Sequence, residues 1–150
     1  MSDKIIDTLN KEEFEKWIVT EFLGIPYKNC GRDKNGIDCW GLGLRIYEKL
    51  GIQLFDIPDL AYDVTWSKKG GNYLAENSWR DWEIIKQPEF LDVVLLRSAS
   101  GVPNHGGVIL TSGRFIHATM YGVIVSRLAD PGIVERIEGY YRLKRLYGKE

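Results

Sequence analysis

The feature that most constrains the fold is a change in the spacing of apolar residues along the chain. Up to about residue 51, these residues recur every three or four positions, as they do on one face of a helix. After residue 90 they fall into four short segments rich in β-branched residues and separated by turns: DVVLLR, GGVILT, RFIHAT and GVIVSRL. Consecutive segments of this kind are typical of antiparallel strands. The chain is therefore predicted to be an α+β protein, with N-terminal helices packed on an antiparallel β-sheet meander.

Two helices are predicted in the first third of the chain. Asn10 and Glu13 form a capping-box pattern ahead of an amphipathic run that ends at Gly24. A second helix is predicted from about Cys39 to Leu50. Near the C-terminus, a short helix at residue 131 and a last strand, YYRLKRL, are expected. Residues 52–90 allow no assignment, and we expect their aromatic residues to be core rather than the wall of a glycopeptide groove: Tyr62, Trp66, Tyr73, Trp79 and Trp82.

Composition argues against several classes of function. Twenty basic and twenty-one acidic residues give a net charge of −1, which does not indicate a nucleic-acid-binding surface. No apolar run approaches the roughly 18 residues of a membrane span, and MSDKIIDTLNKEEFEKW lacks the apolar region of a signal peptide. We therefore expect synthesis in the cytoplasm and retention there unless another particle carries the protein out. Residues 1–150 show neither repeat nor linker and are predicted to form one domain.

Cys39 lies directly after an acid and at the start of the second predicted helix, in GIDCWGLGLRIYEKLGI. If Asp38 is the N-cap, the thiol faces unpaired backbone N–H groups and the positive end of the helix dipole. Both favour the thiolate, which is the nucleophilic form of cysteine. Gly41 and Gly43 weaken the helix by about 1 kcal/mol each relative to alanine, which indicates close packing against its first turn. The alternative is that Cys39 is a small buried hydrophobe.

Both histidines of the chain flank one predicted hairpin, HGGVILTSGRFIH. A three-residue loop, 111–113, would pair residue 107 with His117 and place both imidazoles on one face, whereas a two-residue loop would separate them. We expect the three-residue loop, with the first helices covering the histidine face. The start of the Cys39 helix would then meet His105, which could act as the base while His117 orients it.

Two other uses of these residues stay open. Each histidine, taken alone, could be an ordinary structural or surface residue. A zinc site is the second alternative, although the spacings match no common structural zinc site. Its four ligands would be Cys30, Cys39, His105 and His117. Nucleophilic catalysis by a cysteine requires no metal or organic cofactor, so none is expected.

Several blocks of the sequence resemble one family. GIPYKNCGRDKNGIDCWGLGL is similar to the nucleophile region of the NlpC-type cysteine peptidases, whose common form runs Pro-Tyr, a glycine-rich turn, then Asp-Cys-Ser-Gly-Leu. FLDVVLLR resembles their Pro-Gly-Asp-Leu-Val strand, and NHGGVILTSGRFIHA resembles their His-Val-Gly strand and the His-Ala that follows. The blocks occur in the family's order, from residue 24 to about residue 128.

This resemblance implies a small papain-like α+β fold and a cysteine endopeptidase that cuts peptidoglycan stem peptides, typically beside γ-D-glutamyl linkages, through an acyl-enzyme. By matching position, Cys39 would be the nucleophile, His105 the base and His117 the orienting residue. Tyr27 matches a tyrosine that lines the site near the oxyanion. Asp38 matches an acid that meets the amino end of the substrate in several members.

The chain departs from the family pattern at two positions. Trp40 replaces the usual serine after the nucleophile and could narrow the pocket, and Cys30 stands where the turn usually has glycine. The tryptophan form is similar to peptidases encoded in phage tail operons, which implies phage tail proteins as partners and a virion as the carrier. Arg32, in the turn before the nucleophile, is a further candidate for substrate contact, with a solvated turn as the alternative. An acyltransferase with the same triad and an inactive tail or assembly module remain the rival functions.

Overall fold

The computed structural model describes residues 5–54, 82–97 and 103–147. The N-terminal part contains three helices and a short hairpin. The helices are α1 (Ile5–Thr8), α2 (Lys11–Phe22) and α3 (Cys39–Lys49), and the hairpin strands are β1 (Arg32–Asp33) and β2 (Gly36–Ile37). None of the helices in these ranges is long and apolar enough to cross a membrane.

The C-terminal part forms one six-stranded antiparallel sheet with the strand order β3-β8-β4-β5-β6-β7. A short helix, α4 (Pro131–Val134), precedes the last strand, and a 3₁₀ helix (Lys144–Tyr147) follows it. The strands are β3 (Trp82–Ile85), β4 (Val93–Arg97), β5 (Pro103–Ile109), β6 (Arg114–Thr119), β7 (Gly122–Arg127) and β8 (Ile137–Leu143).

These elements confirm the predicted α+β class and all four predicted strands of the meander, β4 to β7. The last strand departs from the expectation in two ways. It runs over Ile137–Leu143 and ends in a 3₁₀ turn, and it inserts between β3 and β4 rather than extending the meander. Strand β3 lies in the segment that the sequence left unassigned.

The β5–β6 hairpin has the predicted register. Gly107 pairs with His117, and the Leu110 N–H donates to the Arg114 carbonyl across the three-residue loop. Gly113 adopts a φ of 71°, in the left-handed region that such loops require, and Ser112 shares that region with a φ of 58°. Side chains alternate along a strand, so this register puts His105 and His117 on the same face of the sheet.

The two faces of the sheet are covered by different elements, and here one expectation was wrong. Helices α2 and α3 pack on the face that carries Val108 and Ile116. His117 lies on the opposite face beside Phe115. Phe115 belongs to a second, smaller core cluster, against which side chains between β7 and the middle of β8 pack. The long helices therefore cover the face without the histidines. The physical reason is that α2 and α3 bury large apolar stripes, and the strands present the larger apolar surface on the Val108 side.

Only one member of the aromatic set in residues 52–90 falls within the described residues. Trp82 begins β3, is 3% exposed and packs edge-on against Tyr47 of α3, with 6.0 Å between ring centroids. It is core, as expected. The predictions for Tyr62, Trp66, Tyr73 and Trp79 lie outside the described residues.

A buried ion pair links the turn before β4 to the neighbouring strand β8. Asp92 is fully buried, accepts hydrogen bonds from Arg142 Nε at 3.0 Å and Nη2 at 2.8 Å, and also accepts one from the Glu89 N–H. Burial raises the pKa of Asp92, and the hydrogen bonds from Arg142 and Glu89 oppose that rise. Asp92 thus joins the turn before β4 to the neighbouring strand β8.

Replacing Asp92 by alanine should destabilise the fold by about 3 kcal/mol, because it leaves the partly buried Arg142 without its main partner. Equilibrium urea unfolding measures the change. Glu138→Ala is the matched control, since the Arg97–Glu138 pair is 37% exposed on both sides and should cost about 1 kcal/mol or less. Equal losses in the two variants would contradict this account of the buried pair.

Candidate active site

The start of α3 is organised by the Asp38 carboxylate, which is 1% exposed. Its Oδ1 accepts from the Gly41 N–H at 2.8 Å, so Asp38 is the N-cap that the sequence predicted. The same oxygen accepts from Arg32 Nη1 at 2.9 Å, and Oδ2 accepts from the Cys30 N–H at 2.8 Å. One carboxylate therefore fixes both the helix start and the preceding turn.

Close packing explains one of the two glycines in the first turn of α3. A Cβ at Gly41 would collide with the Gly31 carbonyl oxygen, so no larger residue fits there without a shift of backbone. A Cβ at Gly43 would meet only the edge of the Tyr47 ring, at an ordinary contact distance of 4.0 Å. The expected close approach to this helix is thus confirmed at Gly41 and not at Gly43.

Cys39 is the first residue of α3, and its thiol interacts with backbone N–H groups. Burial, followed by the negative charge of Asp38, raises the pKa of Cys39 to about 11. The N–H groups of Gly106, Trp40 and Cys39 itself act in the opposite direction. The sequence argument for a favoured thiolate was therefore wrong about the net effect, because desolvation and the capping carboxylate outweigh the helix start.

The two histidines form a hydrogen-bonded pair. His105 Nε2 and His117 Nδ1 are 2.8 Å apart, and His117 Nε2 lies 2.8 Å from Ser126 Oγ on β7. Burial lowers the pKa of His105 to about 4, with a smaller contribution from the charge of Arg136. Burial, then His105 and Arg136, lowers the pKa of His117 to about 3. Both imidazoles are consequently neutral at pH 7.

Strand β5 brings the histidine pair and the thiol to one place. The β5–β6 ladder begins at Gly107, one residue after the Gly106 N–H that interacts with the thiol of Cys39. Gly106 directly follows His105 along β5. Within the described part of the chain, His105 makes its side-chain hydrogen bond to His117, and none joins either imidazole to the thiol. The resting site thus contains a neutral thiol near the Gly106 N–H and a neutral imidazole pair that includes the preceding residue of β5.

The predicted substrate-contact residues surround the same helix start. Tyr27 is 46% exposed, and its pKa is raised by burial and then by the charges of Cys39 and nearby residues, so its phenol is protonated at neutral pH. Trp40 is partly buried and packs against the helix-side core. Arg32 donates to Asp38 and to the Gly31 carbonyl. Contact of Asp38 with a substrate amine stays a prediction, since that carboxylate accepts three hydrogen bonds within the protein.

No group of three or more His, Cys, Asp or Glu side chains is arranged to hold a metal ion within residues 5–54, 82–97 and 103–147. The four zinc ligands considered from the sequence are all inside these ranges. Their arrangement places the histidines against each other and the thiol against backbone N–H groups.

Two groups at this site were missed by the sequence analysis. The Gly106 N–H could not be found from sequence, because its availability depends on where the ladder begins. Ser126 could have been found. Pairing across the TMYG turn puts Ser126 opposite Phe115 and Ile124 opposite His117, so a polar residue in the alternating pattern of GVIVSRL shares the histidine face.

The thiol should be alkylated by iodoacetamide with a midpoint near pH 11, above the roughly 8.5 of a free cysteine. Its folded pKa is raised, so the reactive thiolate is scarce below that midpoint. The measurement uses a Cys30→Gly background, because the positive φ of 62° at Cys30 suits glycine. Asp38→Asn should lower the midpoint by removing the charge that raises it. Asp33→Asn, at an exposed acid of the same turn, is the control.

A midpoint below pH 7 in the otherwise unchanged protein would contradict this description. It would mean that a thiolate–imidazolium pair is already formed at rest.

Comparison with known proteins agrees with the resemblance seen in the sequence. The sequence model of the NlpC/P60 family matches residues 24–142. The Murein DD-endopeptidase MepS/Murein LD-carboxypeptidase of Escherichia coli strain K12 is 29% identical over 113 residues, which cover 74% of this chain and 52% of the relative. The chain thus spans about half the length of this curated relative.

Solved structures of the same family share the fold. A protein described as similar to a lipoprotein of the NLP/P60 family, from Staphylococcus aureus, has a TM-score of 0.62 at 19% identity, covering 95% of this chain and 42% of its own. An NlpC/P60 family protein from Bacillus cereus has a TM-score of 0.63 at 21% identity, covering 90% and 40%. These likenesses confirm the papain-like fold, and the match over residues 24–142 shows that the chain belongs to the NlpC/P60 family.

Proposed function

We propose that this chain is a cysteine endopeptidase that hydrolyses peptidoglycan stem peptides, beside a γ-D-glutamyl linkage, through Cys39, His105 and His117. One observation carries the proposal. A hydrogen-bonded histidine pair lies on the strand whose next backbone N–H interacts with a cysteine at the start of a helix. Each of the three side chains has a defined position on a helix or a strand, which supports the roles of nucleophile, base and orienting group proposed for them.

The first chemical step follows from the neutral resting site. As the Cys39 sulfur forms a bond to the carbonyl carbon of the scissile amide, its proton passes to Nδ1 of His105. The carbonyl oxygen becomes an oxyanion. Because the pKa of His105 is lowered to about 4, its imidazole is available as a base through the whole neutral range. The charges on His105 and on the carbonyl oxygen therefore arise only during the attack, when the bound substrate excludes water, and are absent from the resting site.

The developing oxyanion has donors at the helix start. The backbone N–H groups of the first turn of α3 are directed toward the thiol region, and the N-terminal end of a helix favours negative charge. The phenol of Tyr27 keeps its proton and supplies a further donor near the same place. These groups are fixed before substrate arrives, because Asp38 holds the turn on one side of the nucleophile and the helix on the other.

The second half of the reaction reverses the proton movements. His105 gives its proton to the amine as the C–N bond breaks, leaving a thioester on Cys39. Water then gives a proton to His105 and attacks the thioester, and the proton returns to sulfur as the C–S bond breaks. The products are a free amine and a free carboxylic acid.

Peptidoglycan is the proposed substrate because of family membership and of the activity in the name of the E. coli relative, a murein endopeptidase. Trp40, in place of the usual serine, stands next to the nucleophile and is the residue we expect to restrict the pocket. The γ-D-glutamyl position of the cut rests on the family resemblance.

Incubation with muramidase-solubilised peptidoglycan should give new stem-peptide fragments, each cleavage adding the mass of one water. Mass spectrometry of the fragments identifies the bond. Cys39→Ala should reduce cleavage to background, and His105→Ala should reduce it by about 100-fold or more, the usual contribution of a general base. Cys30→Gly is the matched cysteine control and should retain activity.

Different products would identify the rival functions. Fragments carrying an added amine in place of water would indicate an acyltransferase. The peptidase would be contradicted if muropeptides from bacteria with different stem peptides stayed intact after incubation and no substrate-like electrophile labelled the thiol. That result would favour an inactive module.

We further propose that the protein is delivered by a phage tail. Support comes from the Asp38-Cys39-Trp40 sequence, which resembles the tail-operon peptidases. Washed virions from a producing lysate should contain peptides of this chain in amounts comparable with those of known tail proteins. Recovery of the chain only in the virion-free supernatant would contradict the proposal.

A further inference from the structure

The hydrogen-bonded series that joins the two imidazoles continues beyond His117 to Ser126. His105 Nε2, His117 Nδ1, His117 Nε2 and Ser126 Oγ form a continuous series, with 2.8 Å for each of the two contacts between side chains. The three residues project from neighbouring strands β5, β6 and β7 on one face of the sheet. Their positions are therefore set by strand register rather than by loops.

The number of protons on two neutral imidazoles allows only two directions of hydrogen-bond donation along this series. A neutral imidazole carries one N–H, so between two neutral histidines one ring donates and the other accepts. If His105 donates from Nε2, its Nδ1 has a free lone pair, and His117 must hold its own proton on Nε2. If His117 donates from Nδ1, the proton of His105 lies on Nδ1, and that nitrogen cannot take a proton from the thiol.

The group beyond His117 decides between these directions. A hydroxyl that accepts from His117 Nε2–H supports the productive direction, and a hydroxyl that donates to that nitrogen supports the unproductive one. Ser126 Oγ is the group within hydrogen-bonding distance of Nε2. Burial and the charge of Arg136 both lower the pKa of His117, so its imidazole is neutral at pH 7 and carries a proton on one nitrogen only.

We propose that Ser126 is a positioning residue, whose hydroxyl accepts from His117 Nε2–H and thereby keeps Nδ1 of His105 free to act as the base. When His105 takes the proton of the thiol, its Nε2–H still donates to His117, so no hydrogen bond in the series has to reverse. A neutral hydroxyl thus does part of what a carboxylate does in other triads, and adds no buried charge. The effect on catalysis rests on the proposed function, but the tautomers do not.

Histidine tautomers can be observed without substrate. In protein labelled with ¹⁵N-histidine, long-range ¹H–¹⁵N spectra at pH 7 should show both rings protonated on Nε2 and unprotonated on Nδ1. In Ser126→Ala, His117 loses its acceptor, and both rings should shift toward the Nδ1-protonated form. Ser126→Thr keeps a hydroxyl and should restore the original spectrum.

Thr119→Ala is the matched control, because Thr119 lies at the other end of the β6–β7 hairpin and its hydroxyl donates to the Gly122 carbonyl, not to an imidazole. It should leave the histidine tautomers unchanged. Amide spectra of each variant verify that the fold is retained. Nδ1-protonated rings in the unchanged protein, or tautomers that Ser126→Ala does not alter, would overturn the proposal.

Kinetics give a second readout in the active enzyme. Ser126→Ala should lower kcat about tenfold, which corresponds to losing the preference set by one neutral hydrogen bond, with little change in KM. Ser126→Thr should recover most of the loss. If the unchanged protein cleaves no muropeptide, the function proposed above fails, while the spectra still decide the role of Ser126.

Discussion

The Asp38 carboxylate is the group on which the rest of the site depends. It caps α3 through the Gly41 N–H, holds the turn at Cys30 and binds Arg32, although the residue is only 1% exposed. Cys39, the proposed nucleophile, is the next residue. Removing this carboxylate would free the helix start and the turn together, so the position of the thiol depends on one buried acid rather than on a large contact surface.

This arrangement has an electrostatic cost that shapes the chemistry. The negative charge that positions Cys39 also opposes its ionisation, and burial of the histidines opposes theirs. The thiol and both imidazoles are therefore uncharged at neutral pH in the protein without substrate. In the proposed reaction, backbone N–H groups and the His105–His117 pair would stabilise charges that exist only during the reaction, which is where electrostatic preorganisation contributes most.

Much of this could be predicted from the sequence, because local rules determine it. The N-cap, the four meander strands and the register of the histidine hairpin follow from short-range patterns, and all are present. The insertion of β8 between β3 and β4 could not be predicted, since strand order depends on contacts distant in sequence. Two predictions were wrong for the same reason, namely that the first helices cover the histidine face and that Cys39 favours the thiolate. Both depend on burial, which is a property of the assembled fold. Ser126 was overlooked, although the alternation of side chains along GVIVSRL puts it on the same face of the sheet as the histidines.

The uncharged state of the buried thiol has a consequence for the protein's durability. Peroxides and other oxidants attack cysteine as the thiolate, so a cysteine with a pKa of about 11 is a poor target at neutral pH. The same applies to disulfide exchange with small thiols. At neutral pH the Cys39 thiol is therefore expected to be oxidised more slowly than a free cysteine.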